Sequence, residues 1–278
     1  MIDRCIVCSS NFKKINEFVY KCHNCLFYKS TLKPGFGREI EGIDEVRINN
    51  FKKIINLIKH QEENKRLRIL EIGSGNGFFV EECQNQNINI TGSEADNEQF
   101  EKLKKKFSNI KKISLPLKND FNEFNKFAYI VFNDVFEHLE NLNLVLDQLK
   151  KFLDINGKII INLPSSGGLI FKFSEFISKF GVTNFYNRLW QKDLSSPHLS
   201  YFNNSNLKML LENSGYNLIY SGNLNTVSKK GNFKRLNSTI SNKLVCLILT
   251  SILVLFFYFQ KILPKDIILH IYELKSKS

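Results

Sequence analysis

The chain has 278 residues, 43% of them hydrophobic, and a formal net charge of +12. That length suits one domain of ordinary size with a small appendage, and the apolar share is enough for a packed core. The first residues, Met1-Ile2-Asp3-Arg4-Cys5, lack an apolar signal-peptide run. A cytosolic, thiol-reducing location is therefore expected.

The basic balance admits nucleic acid, anionic lipid or a phosphorylated substrate as partner, beside a general bias toward lysine. The lysines are spread along the chain, with small clusters at Lys104-Lys105-Lys106 and Lys229-Lys230 and no basic stripe. Residues 1–30 carry Cys5-x2-Cys8, thirteen intervening residues, then Cys22-x2-Cys25. Two such pairs around a strand-like Phe18-Val19-Tyr20 predict a zinc ribbon. Four thiolates would complete a tetrahedron around Zn²⁺ and leave no open position, so the metal is expected to be structural. Residues 31–42, with Pro34, Gly35, Gly37 and Gly42, read as a linker. Ile43, Val46, Phe51, Ile54, Ile55 and Ile58 then recur at helical spacing, and Arg47 lies off that stripe.

Residues 67–77, LRILEIGSGNG, combine a short apolar run with glycines at 73, 75 and 77, and a helix-like stretch follows. Strand, glycine turn and helix make the first crossover of an α/β sheet. A dinucleotide fingerprint would need its third glycine one residue later, where Phe78 stands. Glu71, two residues before Gly73, would repel a pyrophosphate and suits a cationic ligand. A second apolar segment, residues 88–92, ends at Ser93-Glu94, which places Glu94 23 residues after Glu71. An acid there is positioned to accept both hydroxyls of a ribose. Later come residues 127–139, FAYIVFNDVFEHL; residues 156–164, NGKIIINLP; and Pro197-His198-Leu199-Ser200-Tyr201-Phe202, followed by Leu207 to Gly215.

The pattern acid-x-Gly-x-Gly-x-Gly resembles motif I of the class I S-adenosylmethionine-dependent methyltransferases. The later segments resemble, in order, that family's ribose acid, fourth strand, fifth strand and the ending of a small-molecule, Methyltransferase 23-like branch. The resemblance covers about residues 43–225. It implies an α/β, Rossmann-like seven-stranded methyltransferase sheet with helices on both faces, beside the N-terminal ribbon. It implies that Glu71, Gly73, Ser74, Gly75, Gly77 and Glu94 bind S-adenosylmethionine. Asn133 would border the methionine part, and Asp120, in the polar loop 116–126, would meet the adenine. Arg47 is a candidate for the cofactor carboxylate. Ala128 departs from the family, which usually has an acid at that strand's start. His138 and His198 are the candidate catalytic groups, because imidazole can take a proton near neutral pH.

Residues 165–196 read as an insertion, expected to form a substrate lid. Phe171, Phe173, Phe176, Ile177 and Phe180 lie at helical spacing, and Tyr186 and Trp190 are candidates to stack on a substrate ring. Residues 228–264 contain sixteen consecutive uncharged residues, Leu244 to Phe259, short of the roughly twenty a bilayer crossing takes. Residues 266–274 alternate like a last strand, which a single crossing would leave on the wrong side. The apolar helix is therefore expected to be buried on the fold or to lie on an anionic membrane surface, flanked by Lys229, Lys230, Lys234, Arg235, Lys243, Lys261 and Lys265, with a true span as the alternative should residues 266–274 form no strand. Together these readings predict a methyltransferase acting on a small-molecule, sugar-nucleotide or lipid-linked glycan acceptor, cytoplasmic or peripheral at the membrane's inner face. The rivals are an RNA methyltransferase using its ribbon to bind RNA, and a non-catalytic S-adenosylmethionine-binding module. No Asn-Pro-Pro-aromatic motif follows the fourth strand, where Asn133-Asp134-Val135-Phe136 stands.

Overall fold

The computed structural model describes residues 4–36, 43–61, 67–117, 126–227, 231–237, 240, 242–259 and 263–275. The ribbon opens the chain with β1 (Phe12–Lys14), β2 (Val19–Cys22) and β3 (Tyr28–Ser30). Helix α1 (Asp44–Gln61) follows, with acidic residues in its first turn and Lys59 and His60 in its last, a charge order that complements the helix dipole. Its buried stripe is Val46, Asn50, Phe51, Ile54, Ile55 and Ile58. Next come β4 (Arg68–Ile72), α2 (Phe78–Asn85), β5 (Asn89–Glu94), α3 (Asn97–Lys106) and β6 (Ile110–Lys112). Strand β7 (Phe127–Asn133) leads through a single 3-10 turn, Phe136–His138, to α4 (Leu142–Leu149) and the long β8 (Leu153–Pro164).

The main sheet has the order β10-β11-β8-β7-β4-β5-β6, where β10 is Tyr216–Leu224 and β11 is Ile267–Leu274. Strands β6, β5, β4, β7 and β8 run parallel, and β11 enters antiparallel between β8 and β10. This is the seven-stranded α/β sheet that the resemblance implies, with the segment at 266–274 as its last strand. The order of winding reverses about β4, since β5 lies on one side of it and β7 on the other. The carboxyl ends of β4 and β7 thus frame the crevice where ligands of open α/β sheets bind.

Alternation along the strands separates two cores. Leu70, Ile130, Phe132, Ile159 and Ile161 face α4 and α7 (Asn204–Asn213), with ribbon residues Val7, Cys22 and Phe27 on the same side. Ile69, Tyr129, Val131 and Ile160 face α1, α2 and α3. Each strand has two hydrophobic faces because helices cover both, hence the near-continuous apolar runs in the sequence.

The ribbon is stitched to the rest of the molecule. Strand β3 pairs with β9 (Ser200–Tyr201), so β1, β2, β3 and β9 form one four-stranded sheet. The Asn206 and Asn213 side-chain amides donate to the carbonyls of Cys25 and Val7 at 3.1 and 3.0 Å.

The insertion holds α5 (Leu169–Ser178) and α6 (Asn184–Leu189). Its aromatic residues divide. Phe171, Tyr186 and Trp190 are buried with Phe18, Val19, Tyr28 and Tyr201 in a third core, whereas Phe173, Phe176 and Phe180 are exposed. Tyr186 and Trp190 therefore do not stack on a substrate: the ribbon covers them.

The apolar stretch at 244–259 forms α9 (Lys243–Phe259), preceded by the short α8 (Asn232–Asn237) against which it packs. Cys246 is buried, but Leu244, Leu247, Ile248, Ile252, Leu255 and Tyr258 are exposed. Burial on the fold, one of the three expectations for this segment, is not what the structure has. No helix among the described residues is long and apolar enough to cross a membrane.

Candidate functional site

The glycine turn after β4 is shaped by steric need. Gly73 and Gly75 both have positive φ, where a side chain is strained. A Cβ on Gly73 would also lie 2.7 Å from Val135, so the turn and the loop after β7 touch at that point. At Gly75 nothing among the described residues lies within 4 Å of a notional Cβ, so these residues leave the space above the turn open to a ligand. The Ser74 hydroxyl accepts from the Ser93 N–H at 3.1 Å and ties the turn to the end of β5. Gly77 is the residue before α2 and takes a left-handed conformation, held against Phe107 and Leu103.

Two carboxylates flank this turn. Glu94 accepts the Gly75 N–H at 3.0 Å through one oxygen and the Ala95 N–H at 2.8 Å through the other. The second oxygen also accepts the Asp96 N–H at 3.3 Å, and the one that meets Gly75 keeps a lone pair for a further donor. Glu71 is 2% exposed. Its Oε1 accepts from the Asn133 amide at 2.7 Å, and its Oε2 has no hydrogen-bond partner among the described residues. Asn133 is itself fixed by Asn162, whose amide donates to its Oδ1 at 2.6 Å. Burial pushes the Glu71 carboxyl up to about 7, against the lowering effect of the Asn133 hydrogen bond. A buried acid with one orphaned oxygen beside open space is a receptor for a cation or a hydrogen-bond donor. Ile72, Ile113, Leu115 and Leu117 line a small apolar cleft that continues into the core at Leu149 and Phe152. These residues fit S-adenosylmethionine: Glu94 for ribose hydroxyls, Glu71 for positive charge, and between them a turn in which every other residue lacks a side chain. Asp120 lies outside the described residues. Arg47 pairs with Asp134 at 3.5 Å, so it is engaged at the edge of the crevice by an acid of this chain.

On the far side of β7, His138 and His198 come together from 60 residues apart, their ring centroids 4.7 Å from each other. His138 Nδ1 lies 2.9 Å from the Pro197 carbonyl, and Ser196 Oγ is also within reach at 3.1 Å. His198 is 6% exposed, with Nε2 3.0 Å from the Gln191 amide. Burial lowers the pKa of both rings, and His138 lowers His198 further, so both are neutral imidazoles near pH 7. Between them lies Glu137, fully buried, its carboxyl pushed well above the usual range by burial and by nearby Asp134.

The ribbon sets this strap. The Ser30 hydroxyl donates to the His198 carbonyl at 2.7 Å, the Ser30 N–H to Leu199 at 2.9 Å, and the Leu199 N–H to the Glu137 carbonyl at 2.9 Å. In the ribbon, Cys5 and Cys25 sulfurs are 3.6 Å apart, and Cys8 and Cys22 sulfurs 3.4 Å. All four lie within 4.8 Å of one another. Tetrahedral bonds of about 2.3 Å would put sulfurs about 3.8 Å apart, so the cluster can hold a metal ion.

Glu137, Asn162 and Ser30 escaped the sequence reading. A polar residue inside an apolar strand signals Asn162, and the acid next to His138 signals Glu137. Nothing local signals Ser30, whose partner lies 168 residues away.

A methyltransferase domain family matches residues 45–221, more than half of the chain. No curated protein matches the sequence. Among solved structures, magnesium protoporphyrin IX methyltransferase from Synechocystis PCC 6803, with bound S-adenosylhomocysteine, superposes with a TM-score of 0.53 at 12% identity, covering 87% of this chain and 90% of that one. A chain from the complex of the Haloferax volcanii Trm112 methyltransferase activator with a methyltransferase gives 0.52 at 7% identity, covering 85% and 95%. Haemonchus contortus phosphoethanolamine N-methyltransferase 2 gives 0.51 at 15%, covering 85% and 57%. At these identities the structures speak for the fold, and the family match for the activity. The chain belongs to the methyltransferase domain family and is an S-adenosylmethionine-dependent methyltransferase.

Proposed function

We propose that the enzyme methylates a small or lipid-linked, glycan-related acceptor at a membrane surface, and that the ribbon holds a structural Zn²⁺. The observation that carries the lipid reading is the shared root of two exposed apolar helices. The Asp266 carboxylate accepts the Ile170 N–H in the first turn of α5 at 2.7 Å, and Asp266 lies between α9 and β11. Ile267 pairs with Pro164 at the carboxyl end of β8. Exposed Phe173 and Phe176 of α5, Phe180 just after it, and the open face of α9 thus spring from the sheet edge where the crevice lies. Apolar surface of that extent at one edge favours a lipid over water. Lys243 and Lys265 bracket α9 in the sequence, where they suit anionic headgroups and the phosphates of a lipid-linked sugar.

The donor supplies an electrophilic methyl on a sulfonium. Glu94 orients the donor through its ribose, and Glu71 offers negative charge beside the glycine turn. Asn133 and Asn162 hold Glu71 in one rotamer. The His138–His198 pair, on the opposite side of β7, serves the acceptor and its departing proton. Most of the acceleration comes from holding two reactants in line. The neutral histidines add modest help.

The test is transfer of a labelled methyl group to lipid, glycan and RNA fractions of the source cells. Label in the lipid or glycan fraction is the expected result. Label confined to RNA would overturn the reading in favour of the RNA rival.

A further inference from the structure

Glu137 has no exposed surface, and neither of its carboxylate oxygens has a hydrogen-bond partner among the described residues. A buried carboxylate is ordinarily paired, hydrogen-bonded or bound to a metal. The nearest cationic side chain, Arg47, already meets Asp134 at 3.5 Å. The neighbours of Glu137 on the other side are imidazoles. His198 Nε2 is 3.9 Å from Glu137 Oε1, too far for a hydrogen bond but right for two ligands sharing one ion, which would take the place of the Gln191 amide now donating to that nitrogen at 3.0 Å. His198 Nδ1 is buried without a hydrogen-bond partner among the described residues. His138 Nδ1 donates to the Pro197 carbonyl at 2.9 Å, which leaves the Nε2 lone pair free. Backbone carbonyls fix metal-binding histidines in this way. One ligand atom from each of Glu137, His138 and His198 lies within 4.8 Å of the other two.

We propose that Glu137, His138 and His198 bind a divalent first-row transition-metal ion on the acceptor side of β7, distinct from the metal of the cysteine ribbon. Two imidazoles and one carboxylate form a donor set of intermediate softness. It suits ions from Mn²⁺ to Zn²⁺ better than Mg²⁺ or Ca²⁺, which favour oxygen alone. Three protein ligands leave coordination positions open. His138, the partly exposed member, gives access from solvent. The strap that carries His198 is pinned by the ribbon through Ser30, so the ribbon preorganises this second site. The ion's role rests on the methyl-transfer reading above. An ion there would turn the two imidazoles from proton acceptors into ligands, and an acceptor hydroxyl on the ion would lose its proton to water more readily. Its oxygen then forms the bond to the methyl carbon as the carbon–sulfur bond breaks. The bonding pair goes to sulfur, the sulfonium becomes a neutral thioether, and one proton is released per methyl transferred.

The experiment is a Co²⁺ titration of the full-length protein with its ribbon metal in place, followed by visible absorption. One equivalent should enter with weak d–d bands and no thiolate charge-transfer band. Glu137→Gln and His138→Gln should each weaken uptake at least tenfold. Circular dichroism reports folding; should Glu137→Gln unfold, the partly exposed His138→Gln decides alone. Absence of any band beyond a thiolate one, or equal uptake by a folded variant, overturns the proposal. S-adenosylmethionine affinity, measured by calorimetry on the same wild-type sample, reports the donor pocket separately. Its absence would overturn the methyl-transfer reading and leave the metal result standing.

Discussion

The two sides of the crevice are built in opposite ways. The donor side is local: Glu71, the glycine turn, Glu94 and the start of α3 fall within about thirty consecutive residues, joined by short bonds such as Gly75 N–H to Glu94. The acceptor side is assembled from afar: Ser30 of the ribbon, Glu137 and His138 after β7, and His198 beyond the insertion. A local site keeps its geometry as long as one strand–turn–helix unit does. A distant one depends on every element that holds its parts. Damage to the ribbon should therefore disable acceptor chemistry while donor binding persists.

The largest effect should come from the ribbon metal. Structural zinc sites contribute roughly 10 kcal/mol or more of folding free energy in isolated fingers. Cys22→Ser, or chelation, should unfold residues 5–30 and free the strap at 197–202. Hydrogen exchange should rise there and stay slow in β4 and β5. Equal loosening on both sides would break the contrast. Trp190→Ala comes next. It empties a fully buried site between insertion and ribbon, at a cost of about 3–5 kcal/mol in a denaturant melt. The KM for the acceptor should rise, with the donor dissociation constant unchanged.

Glu94→Ala is the converse probe. Hydrogen bonds to a charged group are worth about 1.5–3 kcal/mol, so calorimetry should show donor affinity falling tenfold to a hundredfold with ribbon stability intact. Unchanged affinity would mean the ribose lies elsewhere. The smallest effect is a pH signature of Glu71, whose carboxyl burial raises from an ordinary 4.5 to about 7. Between those values the folded protein holds a proton that the unfolded chain has released. Stability without donor should therefore fall as pH rises from about 4.5 to about 7, by about 1–3 kcal/mol, then level off. Glu71→Gln should flatten that slope. A cationic donor favours the ionised acid, so donor affinity should rise with pH over the same window in the wild type only.

The halves also differ in how they are written in the sequence. Alternate glycines between an acid and an apolar helix, and a second acid 23 residues on, have few other uses. The β4 turn, the seven-strand sheet and the family follow from that run and its ordered companions. The ribbon's cysteine spacing is equally local. The aromatic insertion was harder to read, because period alone gives a helix with one apolar stripe. Only packing shows that Phe171, Tyr186 and Trp190 meet the ribbon while Phe173, Phe176 and Phe180 meet solvent. The apolar run at 244–259 likewise specifies a helix and says nothing of its neighbours.

By itself the sequence determined the methyltransferase fold and the acid-flanked glycine turn after β4, because steric demands on glycine, charge placement and apolar period act over a few residues. Tertiary structure alone decided that two histidines 60 residues apart flank one buried carboxylate. It alone decided that the ribbon's third strand pins one of them. Those contacts close long loops, and their partners are chosen by how layers pack rather than by any neighbour in the chain.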